Sequence, residues 1–210
     1  MRLLNLILGL FLFALGIVIT IKANIGYAPW EVFHVGIANT IGLSIGTVSI
    51  CVGLVFVIIA KLLGEELGLG TILNMLLIGI FMDVILKINF IPTMSTLLHG
   101  VLLLIAGLFT ISFGSYFYLK SAFGAGPRDS LMIALARKTK FPVGVCRSLI
   151  ELLATFFGWL LGGMVGIGTV ISVIGIGFCI QLVFSVLKFK ATAVKHESLK
   201  DTLLRTQAFL

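Results

Sequence analysis

Residues 121–131 read SAFGAGPRDSL, and residues 22–32 read KANIGYAPWEV. Both carry a glycine, a proline and an acid at the same spacing. Gly124, Pro127 and Asp129 in one match Gly26, Pro29 and Glu31 in the other, always 98 residues apart. Proline lacks an N–H and has a fixed φ, so it suits the first turn of a helix, where an acid can bond the free amides. The glycines ahead let the chain reverse tightly and leave N–H groups open at the positive end of the helix dipole. Two helix starts of one design are expected, at Pro29 and Pro127.

The match extends far beyond these stretches. At the same offset, and without a gap, Gly9 falls on Gly107, Gly16 on Gly114, Lys22 on Lys120, Gly46 on Gly144, Gly68 on Gly166, Thr71 on Thr169 and Gly79 on Gly177. Leucine matches carry little weight in an apolar chain. Glycines, prolines, lysines and threonines in fixed register point to an internal repeat made by duplication. The expected organisation is a first membrane repeat over 1–90, a second over 91–188 and a basic cytoplasmic tail over 189–210.

The setting is a lipid bilayer. Of the 210 residues, 60% are hydrophobic and 11% charged, and mean hydropathy is +1.23, which no water-soluble surface could accommodate. Six runs have the length of about 20 residues that a span needs: 3–21, 45–63, 69–86, 97–119, 143–161 and 167–187. The first follows a positive start like that of a signal peptide. No small-residue cleavage site comes after it, and the repeat pairs it with the fourth run.

Between the first and second runs of each unit lies a piece of about 14 residues, PWEVFHVGIANTIG or PRDSLMIALARKTK, too short to cross. If neither piece crosses, each unit has three spans and the second enters from the opposite face, the inverted repeat of many transporters. If both cross, there are eight spans and the repeats run parallel. The charges favour six. With the N-terminus inside, the cytoplasmic side receives Arg2, Lys61, Lys120, Arg128, Arg137, Lys138, Lys140, Arg147, Lys188, Lys190, Lys195, Lys200 and Arg205, while Lys22 and Lys87 alone lie outside. The expected fold is all-α, with about six transmembrane helices in two inverted three-span repeats, each with a short broken or re-entrant helix. The net charge of +7 then reflects orientation, and no nucleic-acid partner is expected.

Ionisable groups near hydrocarbon mark pathways or paired contacts. The candidate substrate-binding residues are Glu31, His34, Asn74, Gly126, Arg128 and Asp129. Glu31 and His34 share a helix face and could relay a proton. Gly126 precedes the second helix start, Arg128 adds a cation to its amides, and Asn74 stands deep in a span with polar Ser172 as its counterpart. Asp83 with Lys87, and Arg147 with Glu151, are spaced for pairing along their own helices. Gly9, Gly16, Gly107 and Gly114 read as close-packing positions, and Thr71 and Thr169 as helix caps. The three cysteines, Cys51, Cys146 and Cys179, read as small core residues. No zinc spacing, Walker loop or nucleophile elbow is present, so no metal, cofactor or enzymatic activity is expected.

From ALGIVITIKANIGYAPWEVFHVGIANTIGLSIGTVSI through LNMLLIGIFMDV, and again at GAGPRD and GWLLGG, the chain resembles the YczE membrane proteins of the wider YczE/YyaS/YitT grouping. The pattern lies on Gly26, Pro29, Trp30, Glu31, Val32, His34, Val35 and Gly36. The sequence departs from that resemblance at Tyr27 and Ala28, where glycine-rich residues would be expected. The resemblance implies a multi-pass protein of the bacterial cytoplasmic membrane and no particular activity.

Two functions fit these features. One is a small secondary transporter or channel-like protein that moves a small polar or anionic solute between the repeats, with a homodimer thickening a thin wall. The alternative is a membrane accessory or regulatory protein that binds a protein partner through its basic cytoplasmic loop and tail. The tail is also suited to touch anionic lipid headgroups of the bilayer.

Overall fold

The computed structural model describes residues 1–191, 194, 197–199 and 201; most of the basic tail lies outside the described residues. The described residues form eight α-helices and no strands: α1 (Arg2–Lys22), α2 (Pro29–Ile41), α3 (Ile45–Leu62), α4 (Leu69–Ile88), α5 (Leu97–Ser121), α6 (Pro127–Thr139), α7 (Val143–Leu160) and α8 (Ile167–Val186). Six of them, all but α2 and α6, are long and apolar enough to cross a membrane. The chain is a polytopic helical membrane protein.

Helix limits follow local chemistry. Proline opens α2 and α6, each after an extended cap residue, Ala28 or Gly126. Gly68 and Gly166 open α4 and α8, and each donates its amide to the hydroxyl of a threonine three residues on, Thr71 at 3.2 Å and Thr169 at 3.1 Å. Left-handed residues end α2 and α6: Gly42 in the first case, Lys140 in the second. The limits of α2, α3 and α4 coincide with those of α6, α7 and α8 after a shift of 98 residues.

The centre of the fold is the crossing of α1 and α5, which is antiparallel. Gly9 faces Gly114 and Gly16 faces Gly107, so one helix ascends where the other descends. In lipid no hydrophobic force drives helices together; close backbone approach at small residues does. A Cβ on Gly9 would stand 2.5 Å from the Tyr118 amide nitrogen, and one on Gly114 would stand 2.6 Å from that of Phe13. Leu6, Leu10, Ala14 and Val18 of α1 fill the surrounding core against Ile78, Met82 and Ile85 of α4.

The remaining contacts exchange partners between the halves. α2 packs on α7 through Gly36 and Gly158. α6 packs on α3, where Ala134 and Ala60, the equivalent positions, are both fully buried. The Gly168 amide donates to the Ile25 carbonyl at 2.8 Å, and the Gly70 amide donates to that of Phe123 at 2.7 Å; these two bonds are again 98 residues apart at both ends. Gly26, at φ +115°, lies against Gly166, and Gly124, at φ +125°, lies against Gly68. Those φ values and the missing Cβ are what let each loop thread past a helix start. The correspondence breaks at one place: α3 packs along α4, whereas α7 and α8 make no comparable contact.

Two sequence expectations change. Asp83 does not pair with Lys87. It accepts from the Ser44 hydroxyl at 2.5 Å and the Gly46 amide at 2.8 Å, because Gly46 brings the start of α3 onto α4 and presents free amides there. Cys51 is exposed on the outer face of α3, where lipid accommodates a small apolar side chain as readily as a core does; Cys146 and Cys179 are buried. At the far end of the chain the Glu197 amide donates to Ala122 at 2.9 Å and the Leu199 amide to Leu67 at 2.8 Å, and Arg2 pairs with Glu197 at 2.6 Å. This strap ties the tail to the loops that precede α4 and α6.

Candidate functional site

A cavity of about 300 Å³ lies between the halves, beside the middle of α1 at Phe13 and Ile17 and the middle of α5 at Ile111 and Ser115. The two short helices bring their first turns to it. Because each starts with proline after a threaded loop, Trp30 and His34 of α2 and Arg128, Asp129 and Met132 of α6 all reach the same space. Tyr118 fixes the second loop by donating its hydroxyl to the Gly124 carbonyl at 2.9 Å.

Arg128 stacks its guanidinium over the indole of Trp30, 4.6 Å from the ring centre. Such stacking holds the cation through the ring face and leaves the N–H edge for another partner. Among the described residues Arg128 has no ion pair within 4.0 Å and no side-chain hydrogen bond. Trp30 is braced edge-on by Phe56, with ring centres 5.3 Å apart.

His34 is 1% exposed, and neither ring nitrogen has a hydrogen-bond partner among the described residues. A buried imidazole without partners is costly, and buried polar groups are otherwise almost always satisfied. The cavity it lines is where a partner can come from. Glu151 and Arg147 of α7, also on the lining, pair at 2.9 Å as their spacing predicted.

Of the six sequence candidates, His34, Asn74, Gly126, Arg128 and Asp129 line the cavity, while Glu31 is buried close to Arg128 without lining it. Glu31 and His34 therefore do not present a joint face to the cavity. Trp30, Ser49, Tyr118, Arg147 and Glu151 also line it and were not among the candidates. The 98-residue offset held the missing signal. Trp30 and Arg128, His34 and Met132, Ser49 and Arg147, and Gly53 and Glu151 are equivalent pairs 98 residues apart, and every member faces the cavity. The second half carries charge at three of these four positions where the first half is uncharged.

The chain is similar to known proteins along most of its length. It is 35% identical over 176 residues to a protein of Bacillus subtilis (strain 168) named "Uncharacterized membrane protein YczE", covering 82% of this chain and 80% of that one. It is 33% identical over 185 residues to an "Uncharacterized protein" of Haemophilus influenzae, covering 86% and 84%. A third relative, "Uncharacterized protein YyaS" of Bacillus subtilis (strain 168), is 26% identical over 171 residues, covering 79% and 84%. No solved structure matches. The resemblance to the YczE and YyaS proteins therefore holds. A family model described as "Family of unknown function (DUF6198)" matches residues 1–185, and the chain belongs to that family.

Proposed function

We propose that the chain is a small secondary transporter whose two halves form an inverted repeat, with a small polar solute bound in the cavity between them. One observation carries the reading: the cavity is lined by equivalent positions of the two halves, so it straddles the axis that would relate them. Inverted-repeat transporters place their site there and open it alternately to the two faces by rocking one half against the other. The antiparallel register of Gly9 with Gly114 and Gly16 with Gly107 supports inversion, since parallel repeats would run α1 and α5 in the same direction. The 13-residue lengths of α2 and α6 support their reading as re-entrant or broken helices.

Cavity charge favours a polar solute over an anionic one. Arg128 and Arg147 are matched on the lining by Asp129 and Glu151, and Glu31 adds a further acid near Arg128. A thermal-shift screen of polar solutes on the purified protein, followed by flux of the best ligand into proteoliposomes, tests the reading. A ligand must stabilise the folded state by mass action and then cross with saturable kinetics. Flux no greater than in empty liposomes for every stabilising solute would sink it.

The accessory-protein reading draws on a different surface, the exposed basic end of α6 at Arg137, Lys138 and Lys140. A stoichiometric protein partner that is lost when these three are changed to glutamine, with no solute binding, would favour that role.

A further inference from the structure

The cavity lining combines apolar and aromatic side chains, among them Phe13, Phe56, Ile78, Ile176 and Phe184, with polar groups of α2, α6 and α7. Three groups there have unused hydrogen-bonding capacity. The Arg128 guanidinium lies over the Trp30 ring without a side-chain hydrogen bond among the described residues, and the two nitrogens of His34 have no partner among them either. Glu151 commits Oε1 to Arg147 and no bond to its Oε2 is seen among the described residues. Donors suited to a carboxylate and an acceptor suited to an ammonium thus face one small space.

The mixture of charges narrows the solute. Arg128 and Arg147 face the cavity together with Asp129 and Glu151, so the lining carries groups of both signs. A solute with a single charge uses only one of these signs, whereas one with both uses the open groups of Arg128 and His34 and the second carboxylate oxygen of Glu151 together. At about 300 Å³ the space is at the small end for ligand pockets.

Resting on the transporter reading for its site, we propose that the cavity binds a small zwitterion of amino-acid size with an apolar body, its carboxylate held by Arg128 and His34 and its ammonium by Glu151. The planar guanidinium suits a carboxylate held by two parallel hydrogen bonds. Trp30, Phe56 and the aliphatic wall take the apolar body.

The test compares matched probes on the purified full chain: L-leucine, 4-methylpentanoate, which lacks the ammonium, and 3-methylbutylamine, which lacks the carboxylate, with L-phenylalanine as a second zwitterion. At saturation one or both amino acids raise the melting temperature by about 2–4 °C and the two half-molecules do not. Arg128→Gln and Glu151→Gln each abolish the shift, and Arg128→Lys retains part of it, which also guards against a glutamine variant that fails to fold. A carboxylate or an amine that stabilises as well as leucine overturns the zwitterion assignment and leaves the transporter reading standing. The absence of any shift with both amino acids overturns it also. Stabilisation by leucine without uptake of labelled leucine into proteoliposomes keeps the zwitterion site and refutes the transporter reading.

Discussion

The guanidinium of Arg128 lies 4.6 Å from the ring centre of Trp30, and these two residues hold the same position in their respective halves, 98 residues apart. The contact brings the starts of α2 and α6 together beside the cavity, so a change in one is felt by the other.

That contact has a measurable strength. A double-mutant cycle of Arg128→Gln and Trp30→Phe, read by thermal unfolding in mild detergent, should give a coupling of about 0.5–2 kcal/mol, the range for a stacked cation with partial desolvation. Trp30→Ala should cost more, about 3–5 kcal/mol, because it also vacates the space against Phe56 and Met132. Coupling indistinguishable from zero would mean that the stack contributes nothing.

The glycines of the central crossing should tolerate no side chain. Gly9→Ala and Gly114→Ala each thrust a methyl group into facing backbone and should lower stability by about 1–3 kcal/mol. Gly144→Ala, in the first turn of α7 with nothing within 4 Å, is the control and should be neutral or stabilising by up to about 1 kcal/mol. Equal effects at all three sites would contradict close packing of α1 on α5.

Much of this architecture was legible in the sequence because its signals are local. Pro29 and Pro127 open α2 and α6 at the predicted residues, since proline dictates a first turn wherever it stands. The six apolar runs match the long helices to within two residues. Partner choice was not legible. A helix bathed in lipid is apolar all round, so periodicity does not mark which face of α7 receives α2, and Gly36 against Gly158 is known only from the packed chain. The same blindness assigned Arg147 and Glu151 to a plain ion pair. They do pair, yet the turn of α7 also aims them into the cavity. Asp83 was misread because a spacing of four to Lys87 is visible in sequence, whereas the amide of Gly46 comes from another helix.

Asp83 therefore makes its own prediction. Asp83→Asn weakens the two bonds that hold the start of α3 and should cost about 1–2 kcal/mol. Lys87→Gln should stay within about 0.5 kcal/mol of the parent in the same unfolding measurement. The reverse order would restore the local ion pair.

Alternating access at the cavity requires the two halves to face opposite ways across the membrane. Leu43 and Phe141 are equivalent positions just ahead of α3 and α7, and they are 48% and 57% exposed, so both accept a reporter. In a variant with the native cysteines replaced, Leu43→Cys and Phe141→Cys are labelled one at a time with an impermeant maleimide, before and after the membrane is opened. Inverted halves put position 43 outside, reactive in intact cells, and position 141 inside, reactive only after opening. Labelling of both from the same face would contradict the inversion, and with it the shared cavity as a site of alternating access.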